Sequence, residues 1–300
     1  MTLTRISQAV ALVLAALTFW VLISRPEDSS VTGMTILDAG VLALLVSIVF
    51  GLSFLGLRLA TSGSITYWSG RTGAKQIWRL GLMIFVTLTI QIIAGRVLDY
   101  HRLLGPETSS VVFLLTWTLI PAAFLLAGLV KWPERLRSAS TIRLVLAGLV
   151  AVCFAGSYSY YSFVSGEPNI PSTDVLSIMI VDLIFGATVE EIVLRVLLLT
   201  ALLDLTASRF QAVFLSGVIF AGIHAPLALV GSAVHGGWSM LQQAANAYAP
   251  DFLLQTMLGM VLGALWLRTG SIWLVVLTHA IFNLGPTLAY DFPLTLPAPT

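Results

Sequence analysis

The chain has 300 residues, of which 58% are apolar and only 10% are charged, and its formal net charge is +1. Soluble domains carry roughly 25% charged residues, so this chain has too few to cover a water-facing surface. The near-zero net charge also excludes the broad basic face of a nucleic-acid-binding protein. The composition therefore predicts an integral membrane protein whose surroundings are the lipid bilayer, with no nucleic-acid partner.

Apolar runs recur along the whole chain. A helical span needs about 20 mostly apolar residues. Such runs lie near 6–24, 36–57, 77–95, 110–130, 143–164, 175–203, 210–230, 252–268 and 271–290. They predict an all-α fold, a polytopic transmembrane helical bundle of about nine spans, with a loop at 231–251. The first run could instead be a signal peptide, but no small-x-small cleavage site follows it, so we expect a retained span.

The basic residues are unevenly distributed between the two ends of these spans. With a cytoplasmic N-terminus, only Arg25, Arg96 and Arg102 of the 15 lysines and arginines fall on the outer side, and Arg195 lies within a span. Cytoplasmic loops of membrane proteins are enriched in lysine and arginine. The bias predicts a cytoplasmic N-terminus, and we expect the cell (plasma) membrane as the location.

Ionisable side chains enter the spans mainly in the last third of the chain. Residues 1–170 hold five spans with almost no ionisable interior residue, and we interpret them as an accessory scaffold. Residues 171–291 hold four spans and are the predicted catalytic core. The run at 175–203 contains four ionisable residues: Asp182, Glu190, Glu191 and Arg195. Each costs about 2.5 to 3.5 kcal/mol at mid-helix, so these groups must pair or face water and are candidates for function.

Helical spacing separates these four residues. Glu191 and Arg195 are four apart and can form an ion pair on one face. Glu190 lies about 100° round the helix and is not served by the same arginine. A carboxylate without a basic partner suits a general base or acid, although both glutamates could also be structural. Asp182, two turns away, is better explained by a hydrogen bond within the bundle.

Two later spans carry polar pairs at the same spacing. Phe220 and His224 are four apart, and so are His279 and Asn283. A lone histidine on an apolar helix is usually a satisfied core group, but two beside a buried glutamate favour catalysis. At about 1.5 Å per residue, Glu190, both histidines and Asn283 lie roughly 12 to 21 Å from the cytoplasmic face. We therefore expect the four side chains to meet in one layer.

The ordered motifs resemble those of a known family. Glu190-Glu191-x-x-x-Arg195, Phe220-x-x-x-His224 and His279-x-x-x-Asn283 are similar to the three motifs of the CPBP or Abi family (CAAX protease and bacteriocin-processing). This family includes type II CAAX prenyl endopeptidases and bacteriocin-processing or self-immunity proteins. The resemblance covers about residues 174–290. Val196 follows the arginine where the family commonly has glycine, which affects the local packing more than the chemistry.

The resemblance implies an intramembrane endopeptidase, a hydrolase acting on peptide bonds. Its roles, carried over, have Glu190 and His224 activating a water and His279 with Asn283 holding the oxyanion. Peptide hydrolysis independently needs a base for water and donors where negative charge develops. The remaining motif residues are assigned supporting roles: Glu191, Arg195 and Phe220. The implied partner is a membrane-associated peptide or protein substrate, including prenylated CAAX-type substrates.

A metal cofactor is an open alternative. Glu190, His224 and His279 could form a three-ligand zinc site with an open position for water. The sequence lacks the H-E-x-x-H spacing that places two ligands on one helix. We expect glutamate-activated water without a metal, with a divalent ion such as zinc as the alternative.

Two functions of other classes remain open. The chain could be a non-proteolytic membrane adaptor or bacteriocin self-immunity protein of the same fold. It could also be a proton-coupled transporter in which Asp182, Glu190 and the histidines form a relay. A relay should be spread across the depth of the membrane, whereas these groups are predicted to lie in one layer.

Overall fold

The computed structural model describes residues 36–61, 67–69, 74–103, 106–166 and 172–290, together with residues 5, 9, 10 and 13. These residues are almost entirely helical, which confirms the all-α class. The elements in chain order are α1 (Ile36–Ala60), β1 (Trp68–Ser69), α2 (Ala74–Tyr100), α3 (Pro106–Leu126), β2 (Glu134–Arg135), α4 (Thr141–Ser165), α5 (Thr173–Glu191), a π-helical segment (Ile192–Leu199), α6 (Thr200–Thr206), α7 (Arg209–Thr269) and α8 (Ile272–Tyr290). The strands β1 and β2 form a two-residue antiparallel ladder.

Five described helical segments are long and apolar enough to cross a membrane. They are Lys75–Tyr100, Thr108–Leu126, Thr141–Ser165, Asp251–Thr269 and Ile272–Ala289. The predicted number of nine spans is not confirmed. The first predicted span, at 6–24, lies almost wholly outside the described residues. The predicted span at 175–203 is helical throughout, in α5, the π-helical segment and α6. It is not one of the five apolar segments, because it contains several ionisable residues.

The long element α7 folds back on itself. Its 61 residues would extend about 92 Å as a straight helix. Gly217 and Gly259 nevertheless touch, since a Cβ placed on Gly259 would lie 2.8 Å from the Gly217 Cα. The two ends of α7 are therefore antiparallel arms, in agreement with the predicted runs at 210–230 and 252–268. The predicted loop at 231–251 is wrong, because the backbone stays helical through these residues.

The helix α8 is pressed against α4. The Tyr158 and Phe282 rings stack with their centroids 3.8 Å apart, and a Cβ on Gly285 would overlap the carbonyl group of Ser159. Only glycine permits this approach of two helix backbones. Helix α4 thus sets how far α8, which carries His279, can approach the centre of the bundle.

Candidate active site

Two adjacent glutamates end helix α5 at the centre of the bundle. Glu190 is nearly buried and Glu191 is fully buried. The chain then continues as the π-helical segment, whose backbone hydrogen bonds skip one residue more than those of an α-helix. Such segments are rare and occur frequently at functional sites. The hydroxyl of Thr200 donates to the Arg195 carbonyl oxygen at 3.3 Å across this segment.

The ion pair expected from the spacing of Glu191 and Arg195 is present. Glu191 Oε2 lies 2.8 Å from Arg195 Nε, and both side chains are fully buried. Arg195 Nη1 also donates to Ser216 Oγ at 3.1 Å, and Ser216 Oγ donates to the Leu194 carbonyl oxygen at 3.3 Å. Sequence reasoning missed Ser216. Its signal was the spacing of four that places Ser216, Phe220 and His224 on one face of α7.

Glu190 faces both imidazoles. Its Oε1 lies 3.5 Å from His224 Nε2, and its Oε2 lies 3.9 Å from His279 Nε2. Among the described residues, no lysine or arginine lies within ion-pair distance of this carboxylate. The carboxylate that the sequence left without a basic partner is thus held between two histidines from different helices.

His279 connects the two glutamates. Its Nδ1 lies 3.0 Å from Glu191 Oε1. Nε2 of the same ring points towards Glu190. The His279 side chain is only 3% exposed. Glu191 therefore orients His279 as well as pairing with Arg195.

His224 is the open side of the cluster. Its Nδ1 donates to the Phe220 carbonyl oxygen at 2.8 Å. Because a carbonyl cannot donate, Nδ1 carries the proton and Nε2 is directed at Glu190. The His224 side chain is 30% exposed, against 9% for that of Glu190. His224 is therefore the most accessible edge of the cluster.

The Phe220 ring is the apolar side chain against which the cluster packs. Its centroid lies 5.1 Å from that of His224 and 5.4 Å from that of His279. The guanidinium carbon of Arg195 lies 5.1 Å from the same centroid, in a cation–π contact. Such rings attract a cation over their face and hold neighbouring groups without competing hydrogen bonds. Phe220 therefore fixes three polar side chains relative to one another.

The charges of the cluster balance with a single proton. Ionised Glu190 and Glu191 opposite Arg195 leave one uncompensated negative charge in the interior, which is costly. One proton on either His224 or His279 makes the group neutral. The arrangement thus favours a proton held between a carboxylate and an imidazole, which is what acid–base chemistry requires.

The two other polar residues singled out from the sequence make no hydrogen bond to these side chains. Asn283, one turn beyond His279 on α8, is half-buried, and its side chain has no hydrogen bond to another described residue. Asp182 accepts a hydrogen bond from Ser110 Oγ at 2.9 Å. That bond joins α5 to α3, so Asp182 has the structural hydrogen bond expected for it and does not belong to the cluster.

The side chains give no specific support to a metal site. In the part of the chain that the structure describes, no group of three or more His, Cys, Asp or Glu side chains is placed to hold a metal ion. The zinc alternative at Glu190, His224 and His279 stays a prediction, which a chelator would test. The mechanism below therefore uses only the residues of the chain.

Comparison with known proteins gives one match. Residues 172–285 match a family model described as Type II CAAX prenyl endopeptidase Rce1-like. The matched region contains all three motifs, and the match confirms the resemblance to the CPBP family. No curated protein and no solved structure matches the chain.

Proposed function

We propose that this chain, whose residues 172–285 form an Rce1-like domain of the CPBP family, is an intramembrane endopeptidase that hydrolyses membrane-associated substrates. The family match supports a protease at the level of the family. The observation that carries the proposal for this chain is the position of Glu190, a nearly buried carboxylate within 3.5 Å of the partly exposed His224. A carboxylate and an imidazole at such a distance can act together on one water.

The first chemical step is activation of that water. A water beside Glu190 Oε1 and His224 Nε2 loses a proton to one of them as its oxygen bonds to the scissile carbonyl carbon. The carbonyl π electrons move onto oxygen and create the tetrahedral oxyanion. When the C–N bond breaks, the stored proton passes to the leaving amine, so the two residues end the cycle in their starting state.

The oxyanion needs donors where its charge develops. The Asn283 amide, which has no hydrogen bond to another described residue, is available to donate to it. His279 Nε2 faces the same space beside Glu190 and supplies a second donor when protonated. Preorganised donors of this kind usually make the largest contribution to lowering the barrier. Glu191 and Arg195 act through His279 and are positioning residues.

The proposed substrate is a membrane-associated peptide, and the description of the matched family makes a prenylated C-terminal peptide the first to test. A substrate whose lipid group lies in the bilayer can reach a site set within the span layer. With the cytoplasmic N-terminus expected from the basic residues, the site lies roughly 12 to 21 Å from the cytoplasmic face of the cell membrane.

The decisive experiment follows cleavage of a fluorogenic prenylated C-terminal peptide by the purified protein in detergent, beside unprenylated leader peptides. We expect Glu190→Ala to reduce the rate by about 10²- to 10⁴-fold. Asp182→Asn, on the same helix but outside the cluster, is the matched control and should keep most of the activity. Activity that survives a chelator would agree with water activation by residues alone.

Two other results would overturn the proposal. Absence of cleavage with every peptide, by a wild-type protein that is folded, would favour an adaptor or self-immunity protein of the same fold. Loss of function in Asp182→Asn equal to that in Glu190→Ala would favour a proton relay.

A further inference from the structure

Several helix ends meet at one end of the bundle, far from one another in sequence. Arg268 Nη1 donates to the carbonyl oxygen of Thr61 at 3.2 Å and to its hydroxyl oxygen at 2.9 Å, which ties the end of α7 to the end of α1. Trp68 Nε1 donates to the Gly270 carbonyl oxygen at 3.2 Å. The short β1–β2 ladder is thereby fixed over the turn between α7 and α8.

A cleft opens between these segments. Its cavity volume is only about 10 Å³, and its walls include Tyr67, Trp68, Trp266 and Arg209. The Trp68 and Trp266 rings stack at 5.2 Å between centroids. The cleft is therefore a narrow aromatic slot at a helix-end surface, with one guanidinium group in its wall.

Further arginines surround the cleft. Arg143 Nη1 donates to the Tyr67 hydroxyl at 3.1 Å, and the guanidinium carbon of Arg135 lies 5.8 Å from the Trp68 ring centroid. Arg268 directly follows Leu267, which lines the cleft together with Arg209. The aromatic walls are thus contacted by cationic groups from several elements.

The balance of charge at this end is positive. The segments 57–61, 67–69, 134–143, 203–209 and 266–272 meet here, and their two acidic residues are Glu134 and Asp204. Their basic residues are six arginines: Arg58, Arg135, Arg137, Arg143, Arg209 and Arg268. The charged groups that act on Arg268 are three of these arginines, Arg58, Arg143 and Arg209. Like charges held close together are stabilised by a bound anion.

Apolar side chains stand immediately beside three of these arginines. Leu59 and Phe210 follow Arg58 and Arg209 in sequence, and Ile142 precedes Arg143. These three apolar side chains are 73%, 69% and 74% exposed, respectively. A soluble anion makes no favourable contact with exposed apolar side chains. A phospholipid does, because its acyl chains lie next to its phosphate. Basic pockets between transmembrane helices bind anionic headgroups in this manner.

We propose that the mouth of this cleft binds the phosphate of an anionic phospholipid, whose acyl chains lie on the exposed apolar residues beside the arginines. The narrow slot is too small to enclose a headgroup, so the phosphate lies at the rim among the guanidinium groups. Trp68 is half-buried at this helix end, and tryptophan is enriched at membrane interfaces. This site is separate from the Glu190 cluster and does not depend on the proposed protease activity.

The test measures lipid retention by native mass spectrometry after exchange into equimolar phosphatidylglycerol and phosphatidylcholine. We expect the wild type to retain phosphatidylglycerol preferentially, with the preference falling about fivefold for each arginine lost in Arg58→Gln and Arg143→Gln. Arg79→Gln is the matched control, because Arg79 is exposed and bonds instead to the Leu129 carbonyl oxygen. It should bind as the wild type does.

Several results would overturn the site. These are equal retention of the two lipids, an equal loss in Arg79→Gln, and displacement of the lipid by excess inorganic phosphate, which would indicate a free-anion site instead. Arg58→Gln decides the outcome if Arg143→Gln fails to fold, since Arg58 is exposed and its replacement leaves the Tyr67 contact intact.

Discussion

Two pairs of membrane helices differ in a way that hydropathy alone would not suggest. The spans in α2 and α3 have mean hydropathies of 1.9 and 2.0 but bury only 28% and 17% of their residues. The second arm of α7 and helix α8 have lower values, 1.3 and 1.6, and bury 50% and 39%. The more apolar helices are therefore the outer ones. In lipid, high hydropathy marks the surface that faces acyl chains, while the interior can hold polar groups.

The polar groups of the two regions also differ in kind. In the outer pair, the buried Trp117 Nε1 donates to Gln91 Oε1 at 2.9 Å, which makes a neutral and satisfied contact between α2 and α3. The inner region holds charged groups around Glu190, and one of them, His224, remains partly exposed. We interpret the first as structural and the second as functional, and substitutions in the two regions should separate these roles.

The largest effect on stability should come from Arg195→Met. Removing the guanidinium leaves Glu191 buried without its basic partner, which typically costs about 3 to 5 kcal/mol. Thermal unfolding in detergent would measure the change. The double variant Glu191→Gln/Arg195→Met should recover part of the loss, because it removes the buried charge. A single variant as stable as the wild type would contradict the buried ion pair.

Asn283→Ala should affect catalysis without a comparable effect on folding. Loss of one oxyanion donor typically lowers kcat by about 10²- to 10³-fold. Because the Asn283 side chain has no hydrogen bond to another described residue, the unfolding temperature should change little. Peptide cleavage and thermal unfolding measured on the same preparation check both expectations. Parallel losses of activity and stability would instead make Asn283 a packing residue.

The smallest effect, and on stability alone, is expected for Gln91→Leu in the outer pair. It leaves the buried Trp117 N–H without its acceptor, at a cost of about 1 to 3 kcal/mol. Cleavage per folded molecule should match that of the wild type. A selective loss of activity in this variant would break the division into an outer structural region and an inner functional one.

Parts of this architecture were readable from the sequence because they depend on local spacing. The separation of four between Glu191 and Arg195 is enough to predict their ion pair. The similar depth of Glu190 and the two histidines in the membrane was enough to predict that they lie close together, since position along a spanning helix determines depth.

Other parts depend on how helices rotate and bend, which spacing does not encode. The contact between His279 and Glu191 requires α8 to face inwards at a rotation to which α4 contributes through the Tyr158–Phe282 stack. The helical backbone at 231–251 was missed because polar residues and glycines interrupt the apolar run there. The π-helical segment was missed because an apolar stretch has the same sequence pattern in an α-helix, with hydrogen bonds between residues four apart, as in a π-helix, where they join residues five apart.

The π-helical segment also makes the length of the chain adjustable at one place. Deleting a residue from an ordinary α-helix rotates everything beyond it by about 100°. Each hydrogen-bonded turn of a π-helix contains one residue more than an α-turn, so a deletion between Arg195 and Leu199 can be absorbed by relaxation to an α-helix. Glu190 and α6 would then keep their facing directions. Relatives of this chain can therefore differ by one residue just after Arg195 and still preserve the same site.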